Sequence, residues 1–145
     1  MVFYTKIKHR KVFAGGGITP DFFVPLDTSS YNPLLGEIIS KGLIQQFAYN
    51  YYSSNKKKFA NYKDIKDYNS NFKIDETMYG TFINYAYQSG VSKSLEKYKI
   101  ISQSELSKRL KAFFAKQKWQ NDGFYPLILE DDKTFRKALL EIEKL

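Results

Sequence analysis

The chain has 145 residues, a length suited to a single domain. Hydrophobic residues make up 43% and aromatics 17%, with 12 Tyr and 12 Phe against 1 Trp, a composition that excludes intrinsic disorder. The absence of cysteine excludes disulfides and Cys-ligated zinc, and the net charge of +8 is sufficient to attract polyanions.

Residues 2–13 alternate as strands do, with Val2 and Tyr4 on one side and Phe3, Thr5 and Ile7 on the other. This start has no apolar stretch of the signal-peptide kind, so an export signal, if the protein is exported, is expected upstream. His9-Arg10-Lys11 suits a turn before Val12 and Phe13. The run Gly15-Gly16-Gly17 then breaks the pattern. Phe22, Phe23 and Val24 read as a further short strand that stops at Pro25, which has no amide to donate.

The pattern changes after residue 30. Asn32-Pro33 is a helix start, Asn as N-cap and Pro at the first helical position. Leu35, Ile38, Ile39, Leu43 and Phe47 follow at helical spacing and predict one helix over 33–55. Gly36 and Gly42 inside it each cost about 1 kcal/mol relative to Ala, which suggests that another element approaches closely. A short helix is expected near Lys63–Tyr68, and a long one over 75–89 closed by Gly90. Ser102-Gln103-Ser104-Glu105 reads as a capping box opening the next helix. Asp122-Gly123 interrupts or ends it. The last helix is expected over about 133–144, capped by Asp131 or Asp132, with Phe135, Ala138, Leu139 and Ile142 turned inward. The fold class is therefore mainly α, with four to five helices preceded by a short β arm. No apolar run is long enough to span a bilayer as a helix.

The residues offer little local chemistry. A hydrolase triad needs a base beside its nucleophile, yet the one His, His9, sits between Lys8 and Arg10, and there is no G-x-S-x-G elbow. No serine–lysine spacing marks a dyad. Glu130-Asp131-Asp132 is the only acidic run and suits helix capping better than a hard cation. Gly15-Gly16-Gly17-Ile18 lacks the Lys-Ser/Thr ending of a phosphate loop and reads as a tight turn between strands. No catalytic, cofactor-binding or metal-ligating residue is assigned. The cations are spread among Asp and Glu, apart from Lys56-Lys57-Lys58, and suit a solvated surface better than a nucleic-acid face.

Some segments together resemble a known family. Phe3-Tyr4-Thr5, Arg10-Lys11-Val12, the motif Gly15, Gly16, Gly17, Ile18, Thr19, Pro20, Asp21, and then Val24 resemble the end of the peptidase domain of carboxyl-terminal processing (tail-specific) serine peptidases. Lys6 stands where that family has Pro, and Lys8-His9 where it has Ser-Gly. The triple glycine, the continuation Val24-Pro25-Leu26-Asp27-Thr28 and the stretch from Trp119 to Ala138 resemble its Bacteroidetes branch. The resemblance implies a periplasmic endopeptidase that trims protein C-termini with a lysine-activated serine and captures substrate tails through a PDZ domain. The family's Ser and Lys precede the strand at which this chain starts, so no residue here takes a catalytic role.

On that reading residues 1–28 are terminal strands of a peptidase core and 29–145 form a helical C-terminal domain. Its partners would be the remaining peptidase core, the PDZ domain and the parent's protein substrates. The N-terminal strands would then expose an unpaired edge or apolar patch. The competing reading is a small basic helical module that binds nucleic acid or a protein partner.

Overall fold

The computed structural model describes residues 2–13, 15, 22–26, 28 and 31–144. It is mainly helical with an N-terminal β-hairpin, the fold class expected from the sequence. Strands β1 (Val2–Tyr4) and β2 (Lys11–Phe13) pair antiparallel, with Val2 opposite Phe13 and Tyr4 opposite Lys11. Thr5 locks the connecting turn, its Oγ1 accepting from the Arg10 amide at 3.0 Å. Residues 22–26 form no strand, which corrects the expectation for Phe22–Val24.

Seven α-helices follow among the described residues: α1 (Pro33–Ser40), α2 (Leu43–Ser54), α3 (Lys56–Ala60), α4 (Ile65–Asn71), α5 (Glu76–Gln88), α6 (Lys99–Ile128) and α7 (Lys133–Ile142). The number exceeds four or five partly because the expected 33–55 helix is broken. Gly42 adopts φ 65°, a left-handed conformation that favours glycine. It separates α1 from α2. Gly36 does meet a close neighbour: a Cβ there would lie 2.5 Å from the Tyr31 hydroxyl oxygen.

Most helix ends carry a local signal. Asn32, Asp64, Asp75 and Asp132 each cap a helix by accepting an amide hydrogen bond three residues on. Gly90 closes α5 in a Schellman arrangement, φ 89°, with the Val91 amide on the Ala86 carbonyl at 3.1 Å and Val91 buried.

Ser102 behaves otherwise. It lies inside α6, which starts three residues earlier, so the expected capping box does not form. Its hydroxyl, fully buried, donates to Asn32 Oδ1 at 3.0 Å. The same oxygen accepts from the Leu35 amide at 3.1 Å. One side chain thus caps α1 and ties it to α6. Glu105, the other half of the expected box, pairs with Arg109 at 2.6 Å instead.

The core lies between α2 and α6, with α1, α4 and α5 around them. Leu106, Leu110 and Phe114 recur every four residues on the inner face of α6 and are fully buried. Phe114 meets Phe59 at 5.4 Å and Phe72 edge-on at 5.8 Å between ring centroids. Phe47 meets Phe82 edge-on at 5.3 Å. Such ring pairs add about 0.5–1.5 kcal/mol beyond the area that they bury.

Buried tyrosines need partners for their hydroxyls. Tyr68 donates to the Lys111 carbonyl at 2.9 Å and Tyr79 to the Lys99 carbonyl at 2.6 Å. Both ends of α6 run differently from the expected pattern. The break near residue 122 falls at Gln120, whose φ 55° and ψ −134° are non-helical. Gly123 permits the chain to fold back there, since a Cβ on it would lie 2.7 Å from the Ala115 carbonyl oxygen.

Candidate functional site

The polar contacts between the helices serve the fold. Lys118 Nζ donates to the carbonyls of Phe59 at 2.8 Å and Tyr62 at 2.6 Å, closing the end of α3. Lys111 Nζ donates to the Asn69 carbonyl at 2.6 Å, and burial pulls its pKa below the usual lysine value. The backbone amide of Lys63 and the side-chain amide of Asn71 hold the Asp67 carboxyl below the usual range. The Tyr87 hydroxyl is buried without a hydrogen-bond partner among the described residues, and that burial raises its pKa.

His9 sits exposed at the hairpin turn with φ 47°. Asp132 caps α7 with an acceptor 2.7 Å from the Phe135 amide, while Asp131 pairs with Lys108 at 3.4 Å and Arg136 at 3.2 Å. The acidic run therefore anchors α7. Among the described residues, no three His, Cys, Asp or Glu side chains converge as a metal site would need. No described helix is long and apolar enough to cross a membrane.

The glycine motif is only partly described. Gly15 has φ 99°, a conformation that favours glycine. Gly16, Gly17, Ile18, Pro20 and Asp21 lie outside the described residues.

The distinctive surface is the one formed by the hairpin and α7. Both faces of the hairpin are apolar and exposed: Val2 and Tyr4 on one, Phe3 on the other, with Ile7 at the turn 91% exposed. Among the described residues the apolar face of α7 is also uncovered, which corrects the expectation that it turns inward. Leu139 is 45% and Ile142 63% exposed, and Phe135 and Ala138 are exposed as well. On one flank Phe135 and Leu139 border a shallow groove whose other wall is Tyr125, Pro126 and Leu129 at the end of α6. On the other flank Ala138 and Ile142 face Phe22 and the hairpin residues Lys8 and Arg10 across a second hollow. Lys137 Nζ stands 5.0 Å over the Phe22 ring.

Positive charge concentrates on the hairpin, and α7 adds a smaller excess just after the acidic run Glu130-Asp131-Asp132. Residues 2–13 carry Lys6, Lys8, Arg10 and Lys11 with no acid, and 133–144 carry four cations against Glu141 and Glu143. Six of the chain's net eight positive charges thus fall on about a sixth of its length. Glu141 is held between Lys137 at 2.7 Å and Lys144 at 2.9 Å, which lowers its carboxyl below the usual range. Read linearly, the cations are scattered; the fold brings the two basic stretches side by side.

The packed helical unit coincides with a known family. The chain belongs to a family described as a family of unknown function (DUF8443), matched over residues 34–120, more than half of its length. The match starts at the first buried leucine of α1 and stops at the break in α6, leaving out the hairpin and α7. No curated protein and no solved structure matches the chain.

Proposed function

We propose that the chain is the non-catalytic C-terminal portion of a periplasmic serine (Ser/Lys) endopeptidase that processes protein C-termini. Residues 1–28 would complete the peptidase core, and 29–145 would form a helical domain supporting that core, placing substrate or mediating assembly. The observation that carries this reading is the hairpin. A two-stranded ribbon with apolar side chains on both faces is the composition of strands buried on both sides, and two strands alone are marginal in water. These are the residues in which the sequence resembles the end of the peptidase domain. A core sheet extended by this hairpin would cover both faces at once.

The basic hairpin and α7 favour a second reading, a small basic module binding nucleic acid or a protein partner. Two measurements separate them. The reading frame immediately upstream of Met1 should encode a nucleophilic serine followed by a lysine. The 145-residue chain alone should leave unfolded protein uncleaved. An upstream frame without such a pair, or robust serine-dependent hydrolysis by the chain itself, overturns the peptidase reading. Steeply salt-dependent DNA binding would favour the alternative.

A further inference from the structure

We infer that α7 and the hairpin turn form a docking face for an anionic lipid surface, with α7 lying in the plane of the headgroups. The inference stands independently of the peptidase reading and concerns α7 and the turn rather than the strand edges.

Three observations carry it. First, α7 is a short amphipathic helix whose apolar row, Phe135, Ala138, Leu139 and Ile142, stays exposed among the described residues. Helices that lie in a membrane interface combine such a row with low overall hydrophobicity and cations on the polar side. Lys133, Arg136, Lys137 and Lys144 supply those cations, with Arg136 paired to Asp131 and Lys137 and Lys144 sharing Glu141, so the net excess over 133–144 is two.

Second, α7 is not alone. The hairpin turn, with Lys6 and Lys8 beside the 91%-exposed Ile7, lies across the hollow from Ala138 and Ile142. An apolar tip flanked by cations matches the same boundary, side chain inserted and charges on phosphate. Phe22 lies between the two elements, beneath Lys137.

Third, the charge selects among occupants. A second copy of the chain docking through this face would set the strongly positive hairpin, with Lys6, Lys8, Arg10 and Lys11 and no acid, against its own copy, so self-association is disfavoured. A polynucleotide would use the cations but leave exposed Phe135, Leu139 and Ile142 unsatisfied, because nucleic-acid interfaces are polar. An anionic bilayer takes both the charge and the apolar row.

The test is co-sedimentation of the intact chain with phosphatidylglycerol-rich vesicles and with pure phosphatidylcholine vesicles. Binding is expected to the first, weakening as salt rises, and little to the second. Leu139→Glu with Ile142→Glu should lower the partition coefficient by at least about tenfold, with the helical circular dichroism unchanged because α7 lies outside the core. Lys6→Gln and Lys8→Gln, in the exposed turn, should cost roughly fivefold each, and remain informative should the α7 variant unfold. Absence of binding to phosphatidylglycerol overturns the inference, as does equal binding to both vesicles. Undiminished binding by the glutamate variant, DNA binding tighter than vesicle binding, or a dimer abolished by the same variant would do so as well.

Discussion

Asn32 is where a single atom supports two elements, and removing it gives the most diagnostic change in stability. In Asn32→Ala the Leu35 amide loses its cap, which costs about 1 kcal/mol. The Ser102 hydroxyl, fully buried, loses its 3.0 Å acceptor, and an orphaned buried hydroxyl costs a further 1–3 kcal/mol or so. The expected loss is about 2–4 kcal/mol. At this chain length that lowers the melting temperature by roughly 3 °C per kcal/mol. Ser102→Ala removes only the donor and leaves the cap intact, so about 1 kcal/mol is expected. The double variant leaves no orphaned hydroxyl and should be less destabilised than the two singles together, by about 1 kcal/mol. Urea unfolding followed by circular dichroism reads all four proteins. Strict additivity, or Asn32→Ala no worse than Ser102→Ala, would show that the two helices are not coupled through this oxygen.

Other perturbations separate neighbouring causes. Gly123→Ala sets a Cβ 2.7 Å from the Ala115 carbonyl and should lose about 2 kcal/mol, whereas Gly36→Ala meets only the far end of the exposed Tyr31 ring and should gain up to about 1 kcal/mol from helix propensity; equal effects in thermal melts would contradict the two environments. Gln120→Gly should stabilise by about 1 kcal/mol or more, because φ 55° with ψ −134° strains any side chain, and a lower melting temperature would show that Gln120 is not strained. Burial pushes the Tyr79 pKa up from 10.0 to about 12, and burial raises Tyr68 further. The folded state then keeps protons that the unfolded chain releases above pH 10, so stability is full below that pH and falls as pH rises toward 12. Tyrosinate absorbance for these two residues should appear together with loss of helix; ionisation well before unfolding would refute the burial.

How much of this was legible depended on whether the cause was local. Asn32-Pro33, Asp132 and Gly90 mark helix ends through the atoms of their immediate neighbours, and the structure uses all of them. Ser102-x-x-Glu105 carries the same kind of signal and misleads, because the partner that decides Ser102 is seventy positions away. Gly42 read as an interior glycine because apolar spacing continues across it. Only its positive φ separates two helices. The break at Gln120 has no signal of its own, although Asp122-Gly123 nearby marks an interruption of the helix.

The candidate surface was less visible still. Periodicity reveals that α7 has an apolar face but not which molecule covers it, so Phe135, Leu139 and Ile142 were expected inside. Nor does a linear reading of charge show that residues 6–11 and 133–144 meet. Exposure of the hairpin's apolar residues, by contrast, was expected from its resemblance to the terminal strands of a larger peptidase core, and Val2, Phe3 and Tyr4 are exposed.

The central claim is that a self-sufficient helical core carries a hairpin and a terminal helix whose apolar surfaces await a partner. Native-state hydrogen exchange on the isolated chain tests it most directly. Amides of α2, α5 and the first half of α6 should exchange slowest, at rates near those set by global unfolding. Those of β1, β2 and α7 should exchange orders of magnitude faster and as separate units. Protection of α7 equal to that of α2 in the isolated chain would mean that its apolar face is already covered, and would contradict the account.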